Sequence, residues 1–308
     1  MNKNISVIIP TFGREQILLD TLAGLIKQIE SGDEILVMDQ TLRHEIETEK
    51  QLTAWNESRL IRWIRLKERS VVKAMNYGAI QAKTNLLLFL DDDIVPGSEL
   101  LKAHKEAYQE HDVWAAVGRI TQPWQSKGPQ KESAFNIGKA KEFDFNSLGR
   151  QYIHEAMAGN LSVLKSRFIE IGGFDENFKG VAYSFEKEFA ERLIEHGGKI
   201  LFEPLAHIQH LQSLKGGVRS LGDFSKTFLP FHSVGNYYYF FRSKVVKNKL
   251  QRSLERILKS VCTRYHLLRP WWIPCVLIAE ISGLFWGLSL YLQGPRLMDP
   301  TTYKEYGK

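Results

Sequence analysis

Cysteine is scarce: Cys262 and Cys275 are the only two in 308 residues. Their spacing fits neither a zinc site nor a disulfide framework, which suits a reducing cytosol. A secretory leader is not expected either. The opening MNKNISVIIPTF holds too short an apolar run for one, so export is not expected. No glycine-rich basic loop follows that run, since PTFGREQ carries one glycine and one arginine. This counts against a nucleotidyltransferase, the alternative that also uses carboxylate-bound metals on an α/β sheet. Acids are nearly absent from one long stretch. Between Tyr237 and Pro270, Glu255 alone faces nine lysines and arginines. The basic excess is concentrated there rather than spread over the chain, which argues against a nucleic-acid-binding module.

What is present supports a full core, because 44% of the residues are apolar. The net charge of +6 points to an anionic partner. Strand-like runs alternate with helical patterns. ISVIIP, EILVMD, IRWIRL and NLLLFL read as strands, and EQILLDTLAGLIKQ and VVKAMNYGAIQA as helices. The alternation predicts a mostly parallel sheet with helices on both faces. Ligands of such sheets sit outside the carboxyl ends of the strands. PTFGR, Asp39 and the run Asp91, Asp92, Asp93 all fall there.

Three adjacent carboxylates repel one another, so a bare acidic turn is an expensive use of them. Placed behind LLFL at the ligand edge of a sheet, they suit a hard cation. Mg²⁺ or Mn²⁺ takes one or two carboxylates together with substrate phosphates.

SVIIPTFGR, ILVMDQT, KAMNYG, FLDDDIVPGSELL, AGNLSVLKSRFIEIGGFDENF, FEKEFAERL and FEPLAHIQH occur in this order. Together they resemble the successive blocks of family 2 glycosyltransferases, over about residues 4 to 215. The resemblance implies a GT-A (Rossmann-like) fold with a mostly parallel central sheet, here with a helical C-terminal extension. It also implies inverting sugar transfer from a nucleoside-diphosphate sugar to a hydroxyl acceptor, with Mn²⁺ or Mg²⁺ as cofactor. Pro10, Thr11 and Arg14 then line the nucleotide pocket, and Asp39 accepts a hydrogen bond from the base. Lys73 supplies charge where the family often carries arginine and this chain has Met75. Asp91 and Asp92 are placed with the donor nucleotide, and Asp93 and His210 with the metal. Gly159, Asn160 and Asp175 are assigned to the acceptor or sugar pocket, and Lys215 and Arg219 to a loop over the diphosphate.

Inverting transfer needs a base for the acceptor hydroxyl. The family pattern places an acid pair there, and here Phe185 and Glu186 stand in its place. Glu186 is the expected base. Glu188 and Glu191 are expected on a charged, solvated helix face. Phe185 and Met75 leave open a degenerate nucleotide-sugar-binding protein without transfer activity.

Residues 1–225 are expected to form the catalytic domain, with a nucleotide-binding half (1–110) and an acceptor half (111–225). Residues 226–308 form a basic amphipathic and apolar helical tail. Leu250, Leu254, Ile257, Leu258 and Val261 keep helical spacing there. A Trp-rich apolar run follows, interrupted by Pro274 and Glu280. This composition predicts interfacial contact with an anionic membrane rather than a span. A cytoplasmic enzyme on the inner face of the plasma membrane is expected, in surface polysaccharide or glycolipid assembly. Its partners would be the nucleotide-sugar donor and a glycan or glycolipid acceptor, with no nucleic acid.

Overall fold

In the computed structural model, which describes residues 4–109, 112–125, 143–213 and 215–303, nine strands join in one sheet. The first half alternates β1 (Ile5–Thr11), α1 (Gln16–Ile26), β2 (Glu34–Asp39), α2 (Ile46–Glu57), β3 (Arg62–Arg65), α3 (Val71–Gln81) and β4 (Leu86–Leu90). Next come β5 (Ile94–Pro96), α4 (Leu100–Glu106), β6 (Val113–Thr121), β7 (Gln151–Ile153) and β8 (Asn160–Leu164). Then follow α5 (Lys165–Glu170), α6 (Phe185–Glu195) and β9 (Lys199–His210). The last segment holds α7 (Val234–Arg242), α8 (Lys249–Val261), α9 (Arg264–Leu268) and α10 (Ile273–Gln293).

Strand order is β3-β2-β1-β4-β8-β6-β9-β5, with β7 also on β9. β1 to β4 pair in parallel, and every residue of β1 and β4 is buried. That is what strands covered on both faces require. The second half is mixed. β8 runs antiparallel to β4 and β6, and β5 and β7 run antiparallel to β9. A central strand is apolar on both faces whichever way it runs, so composition does not reveal direction.

On one face of the sheet Leu18, Leu22 and Leu25 of α1 meet Leu100 and Leu101 of α4. On the other, α3, α5 and α6 pack around Phe168, Phe174 and Phe189. That second core also takes in Val234, Tyr238, Leu290, Met298 and Tyr303, so residues beyond 225 help to build it. α10 lies against α7 because glycine lets the backbones close. A Cβ on Gly283 would meet Ser233 Oγ at 2.0 Å, and one on Gly287 would meet Tyr238 N at 2.8 Å. The opposite side of α10 is open: Ile278, Ile281, Phe285 and Leu292 are exposed. Leu250, Leu254 and Leu258 of α8 are also exposed, at 74%, 61% and 60%. By length and composition the helical stretch Pro270–Gln293 would suffice to cross a membrane.

Candidate active site

The sheet brings β1, β2 and β4 to a common carboxyl edge. Thr11 pairs with Asp39 across β1 and β2, and β4 delivers Asp91 to Asp93 beside them. β9 runs to the same place, since Ile94 lies opposite His210. Asp91, Asp93 and His210 each offer a ligand atom, all within 4.8 Å of one another. His210 Nε2 lies 3.2 Å from Asp93 Oδ1 and 3.8 Å from Asp91 Oδ2. Two carboxylates and an imidazole fit Mn²⁺, or Mg²⁺ less naturally. Burial raises the Asp91 pKa despite His210. Burial acts on Asp93 too, but His210 and Arg14 hold it below the usual carboxylate range.

Asp92 turns the other way and is 6% exposed. It accepts from Thr11 Oγ1 at 2.7 Å and from Arg14 Nε at 3.2 Å. Burial outweighs Arg14 and pushes it up to about 7. Asp92 and Thr11 therefore bond each other in the floor of the site. Arg14 is likewise engaged: it also reaches Asp93 at 3.2 Å and the carbonyls of Ser213 and Lys215. Ser213 N donates to Asp93 Oδ2 at 2.8 Å. This ties the loop after β9 to a carboxylate of the group that could hold a metal.

Arg69, which carried no sequence signal beyond its place before the α3 cap, holds the same loop. It stacks 4.0 Å over Phe12 and donates to Gly217 O and Ser220 Oγ. Gly217 N donates to Phe12 O at 2.7 Å, and a Cβ on Gly216 would strike Gly13 O at 2.4 Å. Lys215 sits in this loop with its side chain exposed. Arg219 belongs to the same turn, and its side chain lies outside the described ones.

Glu186 stands in the first turn of α6, where the N-terminal dipole favours an acid. Burial nevertheless pushes it up to about 7, and the charge of Asp91 adds to this. The Ala158 N–H bonds its carboxylate and works against the rise. Phe185 turns into the core, edge-on to Phe174 at 5.1 Å. Met75 is also in the core, 1% exposed.

Other expected residues take different places. Asp39 is fully buried and saturated. Its Oδ2 lies 2.9 Å from His44 Nε2 and accepts from Trp63 Nε1 at 2.8 Å, and its Oδ1 accepts from Thr41 N at 2.8 Å. In this arrangement no oxygen of Asp39 is presented to a base. Its pKa is lowered despite burial, through His44 and Thr41. Lys73 pairs with Glu68 at 2.6 Å, and Pro10 is buried within β1.

Gly159 makes room for Asp91, whose Oδ2 would be 2.3 Å from a Cβ there. Asn160 is not a pocket residue. Its amide braces strands by donating to Ala206 O at 2.8 Å, and its oxygen lies 2.8 Å from His104 Nε2. Asp175 is also structural, because its buried carboxylate accepts from Tyr238 Oη at 2.5 Å and Arg296 N at 3.0 Å. Glu188 is not solvated either: it is buried in a two-bond pair with Arg192 at 2.9 and 2.7 Å. Glu191 is half-buried, accepting from Tyr239 Oη and Ser243 Oγ. The helix period put these acids on the outside, but α7 covers that face.

No curated protein matches the sequence. Among solved structures, a mannosyltransferase, PcManGT from Pyrobaculum calidifontis in complex with GDP-Man and Mn²⁺, superposes with a TM-score of 0.54 at 14% identity. That match covers 96% of this chain and 80% of the other. GalNAc-T7 with UDP, GalNAc and Mn²⁺ gives a TM-score of 0.54 at 15% identity over 78% of this chain. The match spans half of the GalNAc-T7 chain, 50%. Both likenesses bear on the fold. The sequence profile described as Glycosyl transferase family 2 matches residues 6–168, more than half of the chain. With that match on a GT-A-like sheet, the chain belongs to glycosyl transferase family 2.

Proposed function

We propose that the chain transfers a sugar, with inversion, from a nucleoside-diphosphate sugar to the hydroxyl of a glycan or glycolipid. The observation that carries this is Glu186, a carboxylate raised to about 7 beside Asp91. A base with a pKa near the working pH combines a useful ionised fraction with real proton affinity. Asp91, Asp93 and His210 are the residues that would hold Mn²⁺ or Mg²⁺. A bound divalent cation supplies charge neutralisation to the departing diphosphate. Glu186 takes the acceptor proton as the acceptor oxygen attacks the anomeric carbon, so a single displacement suffices. The loop held by Arg14 and Arg69 lies at the same end of the site. Glu186→Gln keeps the shape and removes the ionisable group. Transfer should fall by roughly 10²-fold or more with donor affinity nearly unchanged. Full activity in that variant would sink the assignment.

The setting is proposed as the cytoplasmic face of an anionic membrane, in surface polysaccharide or glycolipid assembly. The outward leucines of α8, the open stripe of α10 and the nine nearby cations support interfacial attachment. The packed side of α10 supports lying rather than spanning. Glu280 there is 5% exposed, accepting from Tyr237 Oη at 2.5 Å and ion-paired with Arg256 at 3.2 Å.

A further inference from the structure

Between α6 and α8 runs a groove of about 1760 Å³, larger than the roughly 300–1,000 Å³ of an ordinary small-molecule site. One end of it, here called the mouth, is next to the proposed base along the chain: Tyr183 and Lys187 bracket Glu186 and line the groove, as do His154 and Glu155. The last two lead into Ala158, whose N–H bonds Glu186. Aromatic rings gather there: His232 lies 6.2 Å from Tyr183 and 6.4 Å from Phe224. Tyr183 is 46% exposed and Phe224 56%, so flat faces are open to a ligand where no core needs them.

The wall chemistry narrows the ligand. Ile194, Phe240 and Val276 add apolar surface to the groove's walls. The charged residues contributed by α8 are paired: Glu255 with Arg252 at 3.4 Å and with Lys259 at 3.6 Å, and Arg256 with Glu280 at 3.2 Å. The groove as a whole is lined by five lysines and arginines and five glutamates, and walls so balanced in charge have little to offer an anionic head. The exposed faces of Tyr183 and Phe224 suit the apolar side of a neutral sugar. The other flank of α8 carries the exposed leucines. The groove therefore opens beside the surface assigned to the bilayer.

We propose that this groove is the acceptor site and takes an amphiphilic glycoside. A neutral sugar head lies at the aromatic mouth beside Glu186, and an apolar aglycone lies along Ile194, Phe240 and Val276. Naming the sugar an acceptor rests on the transferase reading; binding in the groove does not. In the step itself the acceptor oxygen bonds to the anomeric carbon as the anomeric carbon–phosphate oxygen bond breaks. The acceptor proton goes to Glu186, and the nucleoside diphosphate leaves with the electron pair.

The test is photolabelling of the full-length protein with a diazirine-bearing dodecyl maltoside below its micelle concentration, followed by peptide mapping. Label is expected on the α6 and α8 peptides that face the groove. Ser260→Trp, which fills the groove away from the base, should cut that label about tenfold, the equivalent of 1.4 kcal/mol. Phe224→Ala, at an exposed rim position, gives the same reading should the tryptophan variant fail to fold. Label confined to the open stripe of α10, or unchanged in both variants, overturns the proposal. Equal labelling by a diazirine maltose without the alkyl chain overturns the amphiphile. Glu186→Gln should retain the label. Wild-type protein that labels in the groove but turns over no donor sinks the transferase reading and leaves a glycoside-binding site.

Discussion

Asp93 serves two structures at once. Its Oδ1 faces His210 at 3.2 Å, while its Oδ2 takes the N–H of Ser213 at 2.8 Å and a guanidinium nitrogen of Arg14 at 3.2 Å. Asp93→Asn should therefore lose Mn²⁺-dependent donor binding by calorimetry with a small change in melting temperature. Asp93→Ala should also lose about 1–3 kcal/mol of stability in urea, because buried donors lose their acceptor. Equal Mn²⁺-dependent affinity in all three proteins would remove Asp93 from the ligand set. Glu186, raised to about 7, acts only when ionised, so the transfer rate should climb with pH through about 7 and level off above it. A flat profile from pH 5 to 9 would count against it. His44 has a raised pKa: burial opposes the rise, and Asp39 and Glu15 drive it. Its stabilising effect is complete below its ordinary 6.5 and fades as pH rises through the folded-state value. Asp39 behaves oppositely: its contribution is complete above 3.8 and fades as pH falls through its lowered value. Stability should thus decline on the alkaline side, and His44→Gln should flatten that limb in urea titrations. The grouping of Asp91, Asp93 and His210 was legible in the sequence because the aspartates follow one strand and His210 ends another at the same edge, in step with the family's blocks. The saturation of Asp39 and Asp175 was not, since Trp63 and Tyr238 reach them only through the folded sheet and α7.

At the scale of elements, α10 and α7 meet without room for a side chain. Gly287→Val would place methyl groups where Tyr237 Cβ and Tyr238 N lie 2.8 Å from an added Cβ. Such overpacking costs typically 1–3 kcal/mol, and a drop of that size in thermal or urea unfolding is the expected outcome. An unchanged melting temperature would mean that α10 is not seated there. The helix was readable from its apolar run, and α8 from the spacing of its leucines. Which way those leucines face was not. Period gives a face, but what covers the face depends on α7 and α10 arriving first. The N-terminal strands were legible for a related reason: a run such as LLLFL is buried on both sides and needs no partner to identify it. Short β5 and β7 left no such trace because they take their pairing from β9.

For the whole molecule, the proposed membrane surface makes a separable prediction. Full-length protein should sediment with vesicles containing anionic lipid, and high salt should weaken this without abolishing it. Screening removes the part due to the cations, and burial of residues such as Phe285 and Leu292 remains. Failure to sediment with such vesicles at low salt would leave the open stripe to some other partner. Truncation near residue 240 should give insoluble protein, because Leu290, Met298 and Tyr303 belong to the core of the sheet. Soluble, cooperatively melting protein from that truncation would contradict the packing. The same seating of Tyr303 has a bearing on biosynthesis. Its ring stacks on Tyr77 at 5.7 Å, and its hydroxyl reaches Glu176, 127 residues earlier in the chain. As the chain leaves the ribosome, β4 waits with an open edge until β8 emerges, and the aromatic core waits far longer for its last members. Such long-range closure is slow and leaves apolar surface exposed in the meantime. Until Tyr303 has been made, that surface leaves the nascent protein open to aggregation.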